Sequence, residues 1–301
     1  MKKFMILLVL LVMTAGLTAC EDNDSEEQLH VVATTMYVGD LMRQVGGEHV
    51  KVDTLMGPGV DPHDYQPRQS DTNLVANADL LVINGLNLEE KMGDVFAQVE
   101  EDRRLILGDH VDESDLLHAG GEVDPHFWFD IDIWGALVHV AADELAALDE
   151  DNREVYEARA DEYLKDLSML DEYILRRVET LDPSDRVLIT AHDAFAYFGE
   201  AYGFDVHAIQ GISTESEASI SDIDELAQLM HDLDVKTVFF ESSVPQSTVN
   251  SLVEAAQALD HDARVGGELY SDSTGSADDG LETYIRTYRN NIDTIMDALE
   301  E

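Results

Sequence analysis

The chain predicts an α/β protein of two lobes, each a mainly parallel four-stranded sheet flanked by helices, joined by one long rigid helix. Three observations carry that expectation. Short apolar, β-rich runs alternate with longer amphipathic patterns, as crossover units of parallel sheets require. The runs fall into two sets of four, and the chain is long enough for two substantial cores. Between the sets, from residue 133 to about 180, there is no proline, no strand-like run and one glycine, Gly135.

The chain opens with Lys2 and Lys3, an apolar stretch over 4–13, and Leu17-Thr18-Ala19-Cys20. This order predicts a secretory signal over 1–19, whose apolar core is short for a membrane span. Cys20 is the only cysteine, so neither a disulfide framework nor a thiolate cluster is available. The tetrad at 17–20 resembles a bacterial lipobox, which implies a diacylated Cys20 as the mature N-terminus, lipid-anchored outside the cytoplasmic membrane. Residues 20–29 are polar and acidic and read as a solvated tether.

Charge narrows the partners. The whole chain carries a formal net charge of -46; removing 1–19 takes away two lysines and no acids, leaving 16 Lys plus Arg against 64 Asp plus Glu, or -48. Such a surface repels phosphate, so nucleic acid is excluded as a partner. The acids are scattered along the chain and do not gather at the histidines. That distribution points to a halophilic surface adapted to high ionic strength, where repulsion is screened.

The first lobe is expected over 30–150, with strands at 30–36, 50–56, 80–83 and 105–107 and a helix at 69–77. Past residue 133, Leu145, Leu148, Tyr156, Tyr163, Leu167, Leu170, Ile174 and Val178 recur at mixed three- and four-residue intervals, a helical stripe. Asp149-Glu150-Asp151-Asn152 interrupts it and caps a second helix beginning near Arg153. That helix, the link over 151–181, runs roughly 28 residues, or ~40 Å. Asp182-Pro183 ends it. The second lobe, 182–301, has strands at 187–190, 206–209, 237–240 and 264–266, and helices at 220–231, 246–259 and 281–299.

Three histidines sit at strand ends or edges in separate segments: His63 in GPGVDPHDYQP, His126 in GEVDPHFWFD and His192 in VLITAHDAFAYFG. Asp272, in GGELYSDSTG, makes a fourth candidate. Three neutral imidazoles and a carboxylate suit a divalent transition metal, and only folding can bring four segments together, in a cleft between lobes. His63 follows a strand, where α/β folds place ligands, and His126 repeats its Asp-Pro-His phrase. Read singly, each has a plain alternative: a surface histidine at 63, a helix-start residue at 126, one acid among many at 272. Asp193 reads as a helix cap. The Ser- and Gly-rich loop 271–275 is expected to order on metal binding. Glu241 is a candidate acceptor from a ligand imidazole and Glu215 a candidate for closing the cleft. His110 and His118 flank the loop after the fourth strand as transient sites; the other histidines read as structural or surface groups.

The stretches LTAC, MGPGVDPHDYQP, VDPHFWFD, TAHDAFAYFGEAYG, GISTESEAS, VFFESSVPQSTVNSL and GELYSDSTG resemble the metal-binding lipoproteins of bacterial ABC importers for manganese and zinc, the zinc-uptake A family. The resemblance covers essentially the whole chain. It implies His63, His126, His192 and Asp272 as ligands, two lobes on a rigid helix, and delivery of Zn(II) or Mn(II) as cargo to a permease and its ATPase, as a monomer. Zinc-specific members carry a long His-rich insertion where this chain has only the short segment 109–123, and many manganese-specific members place glutamate where this chain has His192. The mixture resembles members that take either ion.

A catalytic zinc needs an open position for water and a general base, and no HExxH occurs. Four protein ligands suit capture better than turnover, so no enzyme activity and no catalytic cofactor are expected. An extracytoplasmic zinc-dependent hydrolase, in which one of the four is not a ligand, and a metal-binding adhesin remain the alternatives.

Overall fold

The computed structural model describes residues 28–300, so the signal expected over 1–19, the lipidation expected at Cys20 and most of the expected tether over 20–29 fall on residues outside those described. In order, the first half contains β1 (Leu29–Ala33), α1 (Met36–Gly46), β2 (Val50–Thr54), α2 (Gln69–Ala76), β3 (Leu80–Ile83), the single turn α3 (Gly93–Phe96), β4 (Arg104–Ile106) and a minimal antiparallel hairpin, β5 (His118–Ala119) with β6 (Glu122–Val123). The four longer strands form one parallel sheet in the order β2-β1-β3-β4. The apolar run expected to stay extended to 36 ends at Ala33. Thr35 takes an extended conformation and its hydroxyl accepts from Val38 N at 3.3 Å, so it caps α1. Tyr37, Val38, Leu41, Met42 and Val45 then form the buried stripe of a helix that follows from the cap.

Two long helices come next, α4 (Ile131–Leu148) and α5 (Arg153–Val178). Asp130 caps α4 by accepting from Asp132 N at 2.8 Å and Ile133 N at 3.1 Å. The second half contains β7 (Val187–His192), α6 (Ala196–Tyr202), β8 (Asp205–Gln210), α7 (Ile220–Leu233), β9 (Thr237–Glu241), α8 (Gln246–Ala258), β10 (Arg264–Leu269) and α9 (Tyr284–Leu299). Its strands form two parallel pairs, β7 with β8 and β9 with β10, and β7 and β9 lie alongside each other in the middle. Asp193 does not cap a helix: α6 begins three residues later, at Ala196, and Asp193 N donates to Gly211 O at 3.3 Å.

The buried face of α5 is Tyr156, Tyr163, Leu167, Leu170, Ile174 and Val178, as read from the sequence, together with Ala160. It packs on α1 and α4 at one end and on α9 at the other. Arg177, near its C-terminus, pairs with Asp297 of α9 at 2.6 Å. Helix α9 is a second brace. Its first residue, Tyr284, stacks on Trp134 of α4 at 5.2 Å and meets Tyr37 of α1 edge-on at 5.9 Å. The main core therefore runs without a break from β1 through α1, α4 and α5 into α6 and α9, with one smaller cluster on each lobe's outer side.

Candidate metal centre

Each candidate ligand is delivered by the C-terminal end of a strand or the loop beyond it, or by the turn leading into α4. His192 is the last residue of β7, and Asp272 lies three residues past β10. His63 sits in the β2–α2 loop and His126 just before α4. In both Asp-Pro-His turns the aspartate two residues back accepts the histidine backbone N–H at 2.9 Å, from His63 to Asp61 and from His126 to Asp124. This Asx turn, with φ of the intervening proline fixed, aims both rings inward.

The four side chains converge, with one ligand atom from each within 4.8 Å of all the others. His63 Nε2 is 3.4 Å from His126 Nε2, and the Nε2 atoms of His126 and His192 are each 3.4 Å from Asp272 Oδ1. A tetrahedron of ligands about 2.0–2.1 Å from a central ion has edges of about 3.3–3.4 Å, so the spacing fits such an ion. Relative exposure is 4% for His63, 1% for Asp272 and 0% for the other two. His192 Nε2 and Asp272 Oδ1 are buried with no hydrogen-bond partner, a costly arrangement unless a cation sits between them.

The surrounding groups set the chemistry. His126 Nδ1 lies 2.7 Å from Asp124 Oδ1 and His192 Nδ1 lies 2.5 Å from Glu241 Oε2, which leaves both Nε2 lone pairs for an ion. Glu241 Oε1 also accepts His192 N at 2.8 Å. Asp272 Oδ2 accepts from Ser243 Oγ at 2.7 Å, which turns Oδ1 toward the imidazoles. Burial lowers the basicity of all three rings, but unequally compensated. Burial pushes His63 down to about 3, against the pull of Asp272. At His126 the charges of Asp124 and Asp272 overcome burial and lift the ring to about 9. At His192 Glu241 and Asp272 raise it well above the ordinary value against the same burial. Asp272 is pushed up by burial yet held well below the usual carboxylate range by His192, His126 and His63. Cations compete for this centre: protons on two imidazoles, or one metal ion.

The structure brings His63, His126, His192 and Asp272 together and leaves His110 and His118 outside. His118 is exposed on β5, its Nδ1 3.2 Å from Leu116 O. Glu241 is at an imidazole as expected, and Glu215 bonds across the cleft to Lys91 at 2.9 Å. The loop expected to order on metal binding is deeply buried: Ser271, Asp272, Ser273 and Thr274 are 0–1% exposed. Tyr37 Oη and Trp128 Nε1 donate to Tyr270 O and Ser271 O, each at 3.0 Å, and so fasten the loop to the first lobe. Sequence reasoning missed Asp124 and Ser243; the repeated Asp-Pro-His phrase was a signal for the first, and none marked the second.

The chain matches the family described as zinc-uptake complex component A, periplasmic, over residues 31–298. It is 39% identical over 294 residues to the manganese-binding lipoprotein MntA of Bacillus subtilis, covering 95% of this chain and 96% of that one. It is 40% identical over 271 residues to the zinc-binding protein TroA of Treponema pallidum, covering 89% and 88%. The solved structure of that periplasmic zinc-binding TroA superposes with a TM-score of 0.88, covering 91% of this chain and 99% of the other at 39% identity. Fe(III)-bound YtgA of Chlamydia trachomatis gives 0.83 at 27% identity over 90% and 98%. With its buried three-histidine, one-aspartate centre between two braced α/β lobes, this chain belongs to the zinc-uptake component A family of metal-binding proteins.

Proposed function

We propose that the protein is the extracytoplasmic solute-binding component of an ABC importer. It captures Zn(II) or Mn(II) with His63, His126, His192 and Asp272 and delivers the ion to the membrane permease and its ATPase. The observation that carries this reading is the set of four converging buried donors with two unpartnered atoms, His192 Nε2 and Asp272 Oδ1. Burial also argues against turnover, because ligands 0–4% exposed leave no open position for water and substrate together. Relatives whose names record manganese and zinc binding support the cargo class. Imidazole-rich ligation favours zinc in raw affinity. Lipid on Cys20 anchors the mature chain as a monomer outside the cytoplasmic membrane, with lobes over 30–150 and 182–301 and the link over 151–181. The acidic surface suits high salt.

Uptake of radioactive zinc and manganese at limiting concentration tests the reading in cells lacking the gene and in cells restored with a His126→Ala form. Uptake of at least one ion falls in both. Unchanged uptake of both ions, or hydrolysis of phosphoester or peptide probes by the metal-loaded protein, overturns it.

A further inference from the structure

The four ligands are not held alike. His126 lies in a segment whose carbonyls are fixed by buried groups: Tyr197 Oη donates to Asp124 O at 2.9 Å, Asn84 Nδ2 to Pro125 O at 3.1 Å, and Tyr284 Oη to Trp128 O at 2.6 Å. His192 ends a sheet strand beside Glu241, and Asp272 follows Tyr270, whose carbonyl takes Asn291 Nδ2 at 2.8 Å as well as Tyr37. His63 stands apart. Its ring has no carboxylate at Nδ1 among the described residues, it is the most exposed of the four, and its loop is exposed at Pro58, Gly59, Asp64, Gln66 and Arg68. Above that loop opens a cleft of ≈ 970 Å³ between the lobes, with Asp61, Asp64, Thr214, Glu215 and Ser243 on its walls. Ser243 on its wall donates to Asp272 Oδ2 at 2.7 Å, so the cleft comes within one side chain of the centre, on the side where the loop of His63 lies.

Across the cleft the loop is fastened by polar contacts. Thr214 Oγ1 donates to Asp61 Oδ2 at 2.5 Å, and Gly59 N donates to Ser273 Oγ at 3.2 Å. Lys91 joins Asp64 on the loop to Glu215 of the opposite lobe, at 2.9 Å to the latter. Polar contacts beside solvent break at far lower cost than the buried contacts that hold the other three ligands.

Resting on the metal-capture reading, we propose that the loop over 57–68 is the gate: the ion enters and leaves by displacement of His63, with Lys91 and Thr214 as its latch, while His126, His192 and Asp272 stay in place. Lys91 is the electrostatic half of the latch and is weakened by salt; Thr214 is the uncharged half.

Zinc release into excess chelating dye, followed by stopped flow, tests this in wild type, Lys91→Met and Thr214→Val, with Lys236→Met as a control remote from the cleft. Release is faster by about two- to fivefold in each latch variant, the range of a partly exposed polar contact, and unchanged in the control. Wild-type release quickens with added KCl, and Lys91→Met loses most of that dependence. Hydrogen exchange with and without zinc shows protection gained over 57–68 and little over 270–275. Wild-type release rates in either latch variant, or protection gained over 270–275 and not 57–68, overturn the proposal while stoichiometric zinc retention leaves the capture reading standing. A wild-type protein that retains no zinc overturns both.

Discussion

His126 shows how far one side chain depends on its neighbours. Its Nε2 faces the other donors, its Nδ1 is on Asp124, and its backbone N–H is on the same carboxylate. His126→Ala therefore lowers zinc affinity at least tenfold, the low end expected even for loss of an outer partner, whereas His118→Ala changes it less than about threefold. Glu241→Gln, which keeps the shape beside His192 and removes the charge, costs about 10–100-fold. Competition titration against a chelator of known affinity separates these, and equal losses at 126 and 118 would contradict the ligand set. The sign of the pH effect follows from the same contacts. His126 rises from an unfolded value near 6.5 to about 9 in the fold, so its contribution to stability is complete below about 6.5 and is lost as pH rises toward 9. The metal-free protein accordingly melts at lower temperature as pH climbs through that window. Stabilisation by zinc grows over the same window, because the ion displaces protons from imidazoles. Paired melting curves check both directions; a flat or rising metal-free curve would count against the raised His126.

At the scale of elements, α5 was legible because its apolar stripe is uninterrupted and lacks helix breakers; the sequence boundary near Arg153 is the structural one. Helix α1 was not, because its first residues continue an apolar strand and the turn depends on one hydroxyl, that of Thr35. The burial of loop 271–275 was equally hidden. Ser and Gly read as mobile in isolation, but the anchors are Tyr37, Trp128, Thr287 and Asn291, far away in sequence. Packed along three neighbours, α5 has no position at which to bend. Exchange over 155–175 should therefore stay unchanged when zinc binds, and large differences there would indicate hinge bending. Ile174→Ala, at a fully buried position, should cost about 2–5 kcal/mol of stability while one zinc per chain is still bound.

Over the whole molecule, the four candidate ligands were readable as residue types in separate segments, whereas their separate modes of support depend on contacts between lobes that no local pattern encodes. The surplus of acids acts at this scale too. With 64 Asp plus Glu against 18 Lys plus Arg, repulsion opposes the compact state at low ionic strength. Melting temperature should rise between about 0.1 M and about 2 M KCl, the range over which the Debye length shrinks to a few ångströms, and a constant value would remove the salt-adaptation reading. The central claim, that one ion is held by three imidazoles and one carboxylate, is most directly tested by X-ray absorption of the zinc-loaded protein. The account predicts one zinc per chain with three imidazole nitrogens and the Asp272 carboxylate at about 2.0–2.2 Å. Fewer than three imidazoles, or a shell dominated by water oxygen, would contradict it.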